Sequence, residues 1–224
     1  MVRHIIFDCF GTLINTGDGS IKAVEQILSN VCSHEDTKEF YAYWKKVKKQ
    51  MTDNSDFINE KTLFKLSLEE TFVHYGICAN ASEEVKPMIQ SLFAERLVFE
   101  DVKNVLNQLA EKGVDFAIGS NTDTDSLMYY LKSNNLMFSH IYTSENMEVY
   151  KPNPKFYETI LDRSGWSVDD CIFVGDSYID DVYGPKTIGM RAVLLDRRRM
   201  YHDMDLNPVP DYIIHSLDEL INIL

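Results

Sequence analysis

Four short stretches of the chain place chemically capable side chains directly after apolar runs. FDCFGTL sets Asp8 behind Ile5, Ile6 and Phe7; DFAIGSN sets Ser120 and Asn121 behind another such run. YKPNPKFY carries Lys151 ahead of two prolines, and VGDSYIDDVYG carries Asp176, Asp180 and Asp181. A carboxylate at a strand end can be a nucleophile, a metal ligand or a helix cap. The Gly11-Thr12 turn can offer backbone N–H groups to an anion. A hydroxyl beside a backbone N–H at a helix start suits a phosphate oxygen, and also suits an ordinary cap. A lysine held by prolines can neutralise a substrate oxygen, although most lysines are simply solvated. Carboxylates clustered after one strand repel each other unless a cation lies between them. Mg²⁺ is the natural cation, since it prefers oxygen ligands and often takes one or two carboxylates with phosphate oxygens.

Positioning these groups requires strands that end on them. Six apolar runs of strand length qualify: 4–8, 114–121, 140–144, 170–177, 190–196 and 211–215. Most are continuously apolar rather than alternating, as in strands of a parallel sheet covered on both faces. Helical spacing lies between them, in Val102, Val105, Leu106 and Leu109, in Leu127, Tyr130 and Leu131, and in Phe156, Ile160 and Leu161. Strand alternating with helix predicts an α/β fold, a doubly wound parallel sheet. Residues 17–99 break that rhythm. Helices are expected at 20–31, 35–51, 60–75 and 82–96, forming a helical-bundle cap domain inserted into a core of 1–16 and 100–224. Such an insert begins at the carboxyl end of the first strand, where open α/β sheets bind ligands, and can act as a lid.

The totals narrow the function. The 224 residues carry 35 acidic and 22 basic side chains, a formal charge of −13. That balance argues against nucleic acid or an anionic membrane as partner, yet allows a small anionic substrate at a locally positive or metal-bearing site. Cys9, Cys32, Cys78 and Cys171 are scattered, which favours reduced thiols over disulfides or zinc. No signal-like segment or run of ~20 apolar residues occurs, so a soluble cytoplasmic protein is expected. Tyr41, Tyr43 and Trp44 fit a packed amphipathic helix, the Lys-rich run 45–50 a solvated face, and Arg197, Arg198 and Arg199 an exposed loop.

In chain order the motifs read Asp, Ser-Asn, Lys-Pro, then Gly-Asp-Ser followed by Asp. This set, from Val2 to about Arg191, resembles the haloacid dehalogenase-like (HAD) hydrolase superfamily, and the C-terminal PDYIIHSLDELINIL looks like that superfamily's usual final strand and helix. The resemblance implies that Asp8 is a nucleophile and that Ser120 and Lys151 bind and orient the transferring group. Gly11, Thr12 and Asn121 contact substrate. Mg²⁺ is held by Asp8, the backbone carbonyl of Phe10, Asp176 and Asp181, with Asp180 the rival for the last place. A Mg-dependent phosphatase acting on a small phosphate ester through an aspartyl-phosphate is the expected function.

Phe10 complicates that expectation. Most phosphatases of the superfamily read Asp-x-Asp, the second Asp serving as general acid and base. Phenylalanine cannot exchange a proton, a loss typically worth a factor of ~10²–10⁴. An aromatic residue here resembles the 2-haloacid dehalogenase branch, whose halide leaves without a proton. That branch, however, usually reads Ser-Ser-Asn where Gly175-Asp176-Ser177 stand, and it uses an arginine early in the cap. This chain has no arginine between Arg3 and Arg96. A dehalogenase and a non-catalytic relative therefore stand as alternatives.

Overall fold

The protein is described here by a computed structural model, which defines residues 2–54 and 56–223. All six expected strands form: β1 His4–Phe7, β2 Asp115–Ser120, β3 His140–Thr143, β4 Cys171–Gly175, β5 Arg191–Leu195 and β6 Tyr212–Ile214. They pair in parallel in the order β3-β2-β1-β4-β5-β6. Continuous runs such as Ile5-Ile6-Phe7 and Ile172-Phe173-Val174 suit the middle of this sheet because both faces are covered, and these residues are buried. From β1 the chain winds outward through β2 and β3, then returns to β4 on the other side. That reversal opens a crevice at the carboxyl ends of β1 and β4, the topological switch point of an open sheet.

The register brings the predicted residues to one edge. Phe7 pairs with Ile118 on one side and Val174 on the other. Asp8, Ser120 and Asp176 lie one or two residues beyond those partners. The unit containing the sheet comprises residues 1–15, 96–121 and 130–224. Its helices include α6 Val102–Glu111 and α9 Pro154–Ser164. Phe156, Tyr157 and Ile160 of α9 pack with Ile6, Ala117 and Phe173 of the sheet. Full burial of side chains this size stabilises a fold by roughly 1.5–3 kcal/mol each.

The second unit comprises residues 16–95 and 122–129. It contains α1 Gly19–Asn30, α2 Thr37–Asn54, α3 Glu60–Tyr75, and the short α4 Ala81–Glu84 and α5 Lys86–Ser91. Val24, Ile27, Phe40, Trp44, Leu68 and Phe72 form its apolar centre. Trp44 is buried and its indole N–H donates to Ser67 Oγ at 2.8 Å, so it packs as the helical pattern suggested. The segment 122–129 joins this unit through Asp123, whose carboxylate accepts from the N–H groups of Glu60 (2.7 Å) and Lys61 (3.2 Å) in the first turn of α3. Those N–H groups have no helical acceptor of their own, and a carboxylate suits the positive end of the helix.

Three expectations require correction. The single helix expected over 82–96 is two short helices ending at Ser91, with Pro87 at the start of the second. Proline has no N–H to continue a ladder, and Asn80 caps the first piece through Ser82 N–H (3.0 Å). The expected C-terminal helix is a 3₁₀ turn, Leu217–Asn222, held by a reciprocal Ser216/Glu219 cap. Arg197 does not belong to an exposed loop: Arg198 and Arg199 are exposed, while Arg197 is half-buried and bonded to Asp101 and Thr12. All four cysteines are free thiols. No helix among the described residues is long and apolar enough to cross a membrane.

Candidate active site

Asp8 is buried just past β1, and its N–H remains tied to Val174 O at 2.9 Å. Its Oδ1 accepts from Lys151 Nζ at 2.9 Å and from Ser120 Oγ at 3.2 Å. The same ammonium donates to Asp181 Oδ1 at 2.7 Å. Asp181 Oδ2 accepts from Ser177 N–H at 2.9 Å. Asp176 receives the hydroxyl of Thr12 at 3.3 Å. One ligand oxygen each from Asp8, Asp176 and Asp181 can be chosen so that all three lie within 4.8 Å of one another.

Local structure explains why these groups meet. Gly11 has φ +95°, and a β-carbon there would overlap the Asp176 carboxylate. Only glycine both adopts that backbone easily and leaves this space. A β-carbon on Gly175 would likewise overlap Asp181. Asp180 and Asp181 sit in a π-helical turn, Tyr178–Tyr183. Its geometry buries Asp181 in the centre, and the buried Tyr157 hydroxyl donates to the carbonyl of Asp180. Of the two acidic neighbours, Asp181 therefore lies with Asp8 and Asp176.

Lys151 is fixed by its backbone as well. The Asn121 amide accepts from Lys151 N–H at 2.8 Å and donates to its carbonyl at 3.0 Å. The side chain of Asn121, expected at the substrate, is thus engaged in holding the lysine. This exchange between residues thirty apart has no signature in local sequence. Phe10 presents no carboxylate. Its ring meets Tyr130 edge-on at 5.5 Å, and the Arg96 guanidinium lies 5.6 Å from its centroid.

The centre is short of positive charge. Burial opposes the Lys151 ammonium, but Asp181 and then Asp8 more than offset it and hold its pKa above the ordinary lysine value. Burial pushes the Asp181 carboxyl well up against the pull of that ammonium. Burial, and next the charge of Asp8, push Asp176 up to about 6. Three buried or part-buried carboxylates thus face one ammonium, an arrangement that favours a further cation.

A pH dependence follows for the EDTA-treated protein. A carboxyl near 6 rather than 3.8 keeps an extra proton in the folded state between those values. Stability contributed by Asp176 therefore falls as pH rises from about 4 to about 6, by at most about 3 kcal/mol. Asp176→Asn removes that loss. Calorimetry in EDTA is expected to give the variant a Tm several degrees above the parent at pH 7, with the gap shrinking toward pH 4. A gap that does not close on acidification would remove Asp176 as its source.

Acid groups thus gather around one buried ammonium at the switch point of a parallel sheet, in a protein of the α/β class. The chain belongs to the haloacid dehalogenase-like hydrolase family, which it matches over residues 5–195. Over 125 residues it is 34% identical to haloacid dehalogenase-like hydrolase domain-containing protein 3 of Danio rerio, covering 55% of this chain and about half (51%) of that protein. A phosphoglycolate phosphatase of Pectobacterium atrosepticum is 24% identical, covering 100% of this chain and 92% of the phosphatase. A (S)-2-haloacid dehalogenase of a Pseudomonas species is 23% identical, covering 100% and 96%. The magnesium-bound crystal structure of a HAD hydrolase from Bacillus subtilis has the same fold, with a TM-score of 0.80 at 18% identity and coverage of 100% and 98%. The full-length phosphatase and dehalogenase matches are thus similarly distant, and their identity alone does not choose between them.

Proposed function

We propose that this hydrolase is a Mg²⁺-dependent phosphatase of small phosphate monoesters. The observation that carries this reading is Asp176, a part-buried carboxylate kept beside Asp8 although burial and then the Asp8 charge raise the cost of ionising it. Halide displacement has no use for that second charge. A magnesium site does. The donor set fits the ion: hard carboxylate oxygens from Asp8 and Asp176, with Asp181 adjacent, in a centre where one ammonium faces three carboxylates. The carbonyl of Phe10 would complete the protein ligands. When bound, Mg²⁺ supplies charge that lowers the repulsion between a carboxylate and a phosphate dianion.

The chain's own residues do the rest. Asp8 attacks phosphorus in line and becomes an aspartyl-phosphate as the alkoxide or phenoxide departs; water then releases phosphate. Lys151, fixed by Asn121, holds the Asp8 carboxylate in place and pairs with charge on the transferring oxygens. Ser120 orients the same carboxylate and offers its hydroxyl to a phosphoryl oxygen. The Gly11 N–H, expected at the anion, instead donates to the Ile14 carbonyl at 2.8 Å, so of that turn the Thr12 N–H would face the attacked group. Phe10 supplies no proton, so activated leaving groups turn over best. The substrate is a small molecule, and the solvent-facing protein surface acts in a soluble, cytoplasmic setting.

The dehalogenase reading is favoured by one observation, the aromatic side chain at position 10. One pair of assays separates the two. Hydrolysis of p-nitrophenyl phosphate is expected with Mg²⁺ and is expected to disappear in EDTA. Release of chloride from 2-chloropropionate is expected to stay at background in both buffers. Metal-independent chloride release without phosphatase activity would reverse the assignment.

A further inference from the structure

Arg197 follows β5 and is 185 residues from Thr12 in sequence, yet its Nη2 donates to the Thr12 carbonyl at 3.0 Å. Two more bonds, at 2.7 and 3.0 Å, lock the guanidinium onto both oxygens of Asp101. Its plane lies over Phe99, 4.0 Å from the ring centroid. Asp101 is itself fixed by the Leu217 N–H (2.7 Å) and the Ser216 hydroxyl (3.0 Å). The guanidinium thus has almost no freedom left. What it holds is the carbonyl of the residue whose hydroxyl meets Asp176 at 3.3 Å.

We propose that Arg197 is a positioning residue that sets the Asp176 carboxylate through Thr12, and so tunes the affinity of the centre for a divalent cation. The inference rests on the magnesium reading. A planar fork is what the task requires. Two N–H groups grip Asp101 side by side while another reaches the carbonyl, which the single ammonium of lysine cannot reproduce. Outer residues that orient a ligand commonly change metal affinity or activity by about 10–100-fold when altered. Arg197 acts one step further out, so the lower end of that range is expected.

The guanidinium also borders a cavity of about 680 Å³ lined with Asn15, Phe99, Asn104 and Asp218. Its removal leaves a place that a small guanidinium compound can reach from solvent.

The test measures Mg²⁺ binding by calorimetric titration, and the rise in Tm that Mg²⁺ produces, for the parent, Arg197→Lys, Arg197→Ala and Thr12→Val. Arg197→Lys is expected to weaken Mg²⁺ about tenfold while phosphatase kcat at saturating Mg²⁺ changes little. Millimolar methylguanidine is expected to restore the Mg²⁺ affinity of Arg197→Ala. In a Thr12→Val background, Arg197→Lys is expected to have no further effect on affinity, because the hydroxyl that relays its position is gone. A folded Arg197→Lys with parental Mg²⁺ affinity and only a lower Tm would overturn the proposal and leave Arg197 as scaffolding. So would an undiminished effect in the Thr12→Val background. If the parent itself binds no Mg²⁺, the magnesium reading falls and this inference with it; unchanged variants of a Mg²⁺-binding parent remove this inference alone.

Discussion

Asp8→Asn is expected to reduce turnover of p-nitrophenyl phosphate by about 10⁴–10⁶-fold, the range set by removal of a covalent nucleophile. The amide keeps the shape of the side chain and one oxygen, which can still accept from Ser120 and Lys151. It cannot attack phosphorus at a useful rate. The fold should survive, since the change removes one of three crowded carboxylates and Lys151 retains Asp181 at 2.7 Å. The Tm in EDTA is therefore expected to equal or exceed the parent's. Loss of activity with an intact Tm separates a missing nucleophile from an unfolded protein. If Asp8→Asn hydrolysed the ester at a rate close to the parent's, Asp8 would be excluded as the attacking group. Because halide displacement would also use this carboxylate, the substrate pair described above, rather than this variant, distinguishes the two chemistries.

Lys151→Met carries the largest expected effect on stability. The ammonium is buried between Asp8 and Asp181 and lies 5.0 Å from the centroid of the Phe173 ring. Methionine fills similar space but leaves two buried carboxylates without their partner. Breaking a buried ion pair on one side costs about 3–5 kcal/mol, which lowers the Tm of a chain this size by on the order of 10 °C. The raised pKa of Lys151 keeps it charged throughout the neutral range, and its stabilisation is lost only as pH climbs through that raised value. The deficit in Lys151→Met should therefore persist unchanged from pH 7 to pH 9. It should shrink on acidification, as the Asp181 carboxyl, pushed up by burial, picks up a proton. Lys151→Met/Asp181→Asn is expected to recover part of the stability and none of the phosphatase activity. A Lys151→Met protein as stable as the parent would mean that Lys151 holds no charged carboxylate in the folded state at pH 7.

The six strands were legible because burial on both faces demands continuous apolar runs, and few residue types satisfy that demand. Asp8, Ser120 and Asp176 were legible for a related reason. A polar residue ending such a run must lie at the sheet's carboxyl edge, where parallel register brings several runs to one line. The break at Pro87 could have been read more strictly, since proline stops a helical ladder; the helical spacing around it concealed the stop. The choice between Asp180 and Asp181 was not legible, because adjacent residues exchange places with a small change in helical winding. The π-helical turn made that choice.

Arg197 and Asn121 show the remaining limit. Each looks ordinary among its neighbours, an arginine in a basic triplet and an asparagine at a helix start. Their partners, Thr12 and the backbone of Lys151, are distant in sequence. By itself the sequence determined which groups could do chemistry and that a parallel sheet would bring them to one edge, since hydrophobic periodicity and chain order are local properties. Tertiary structure alone decided which carboxylate faces the ammonium, which amide grips the lysine and which guanidinium holds the turn, since hydrogen-bond partners are chosen by distance in space and leave no period along the chain.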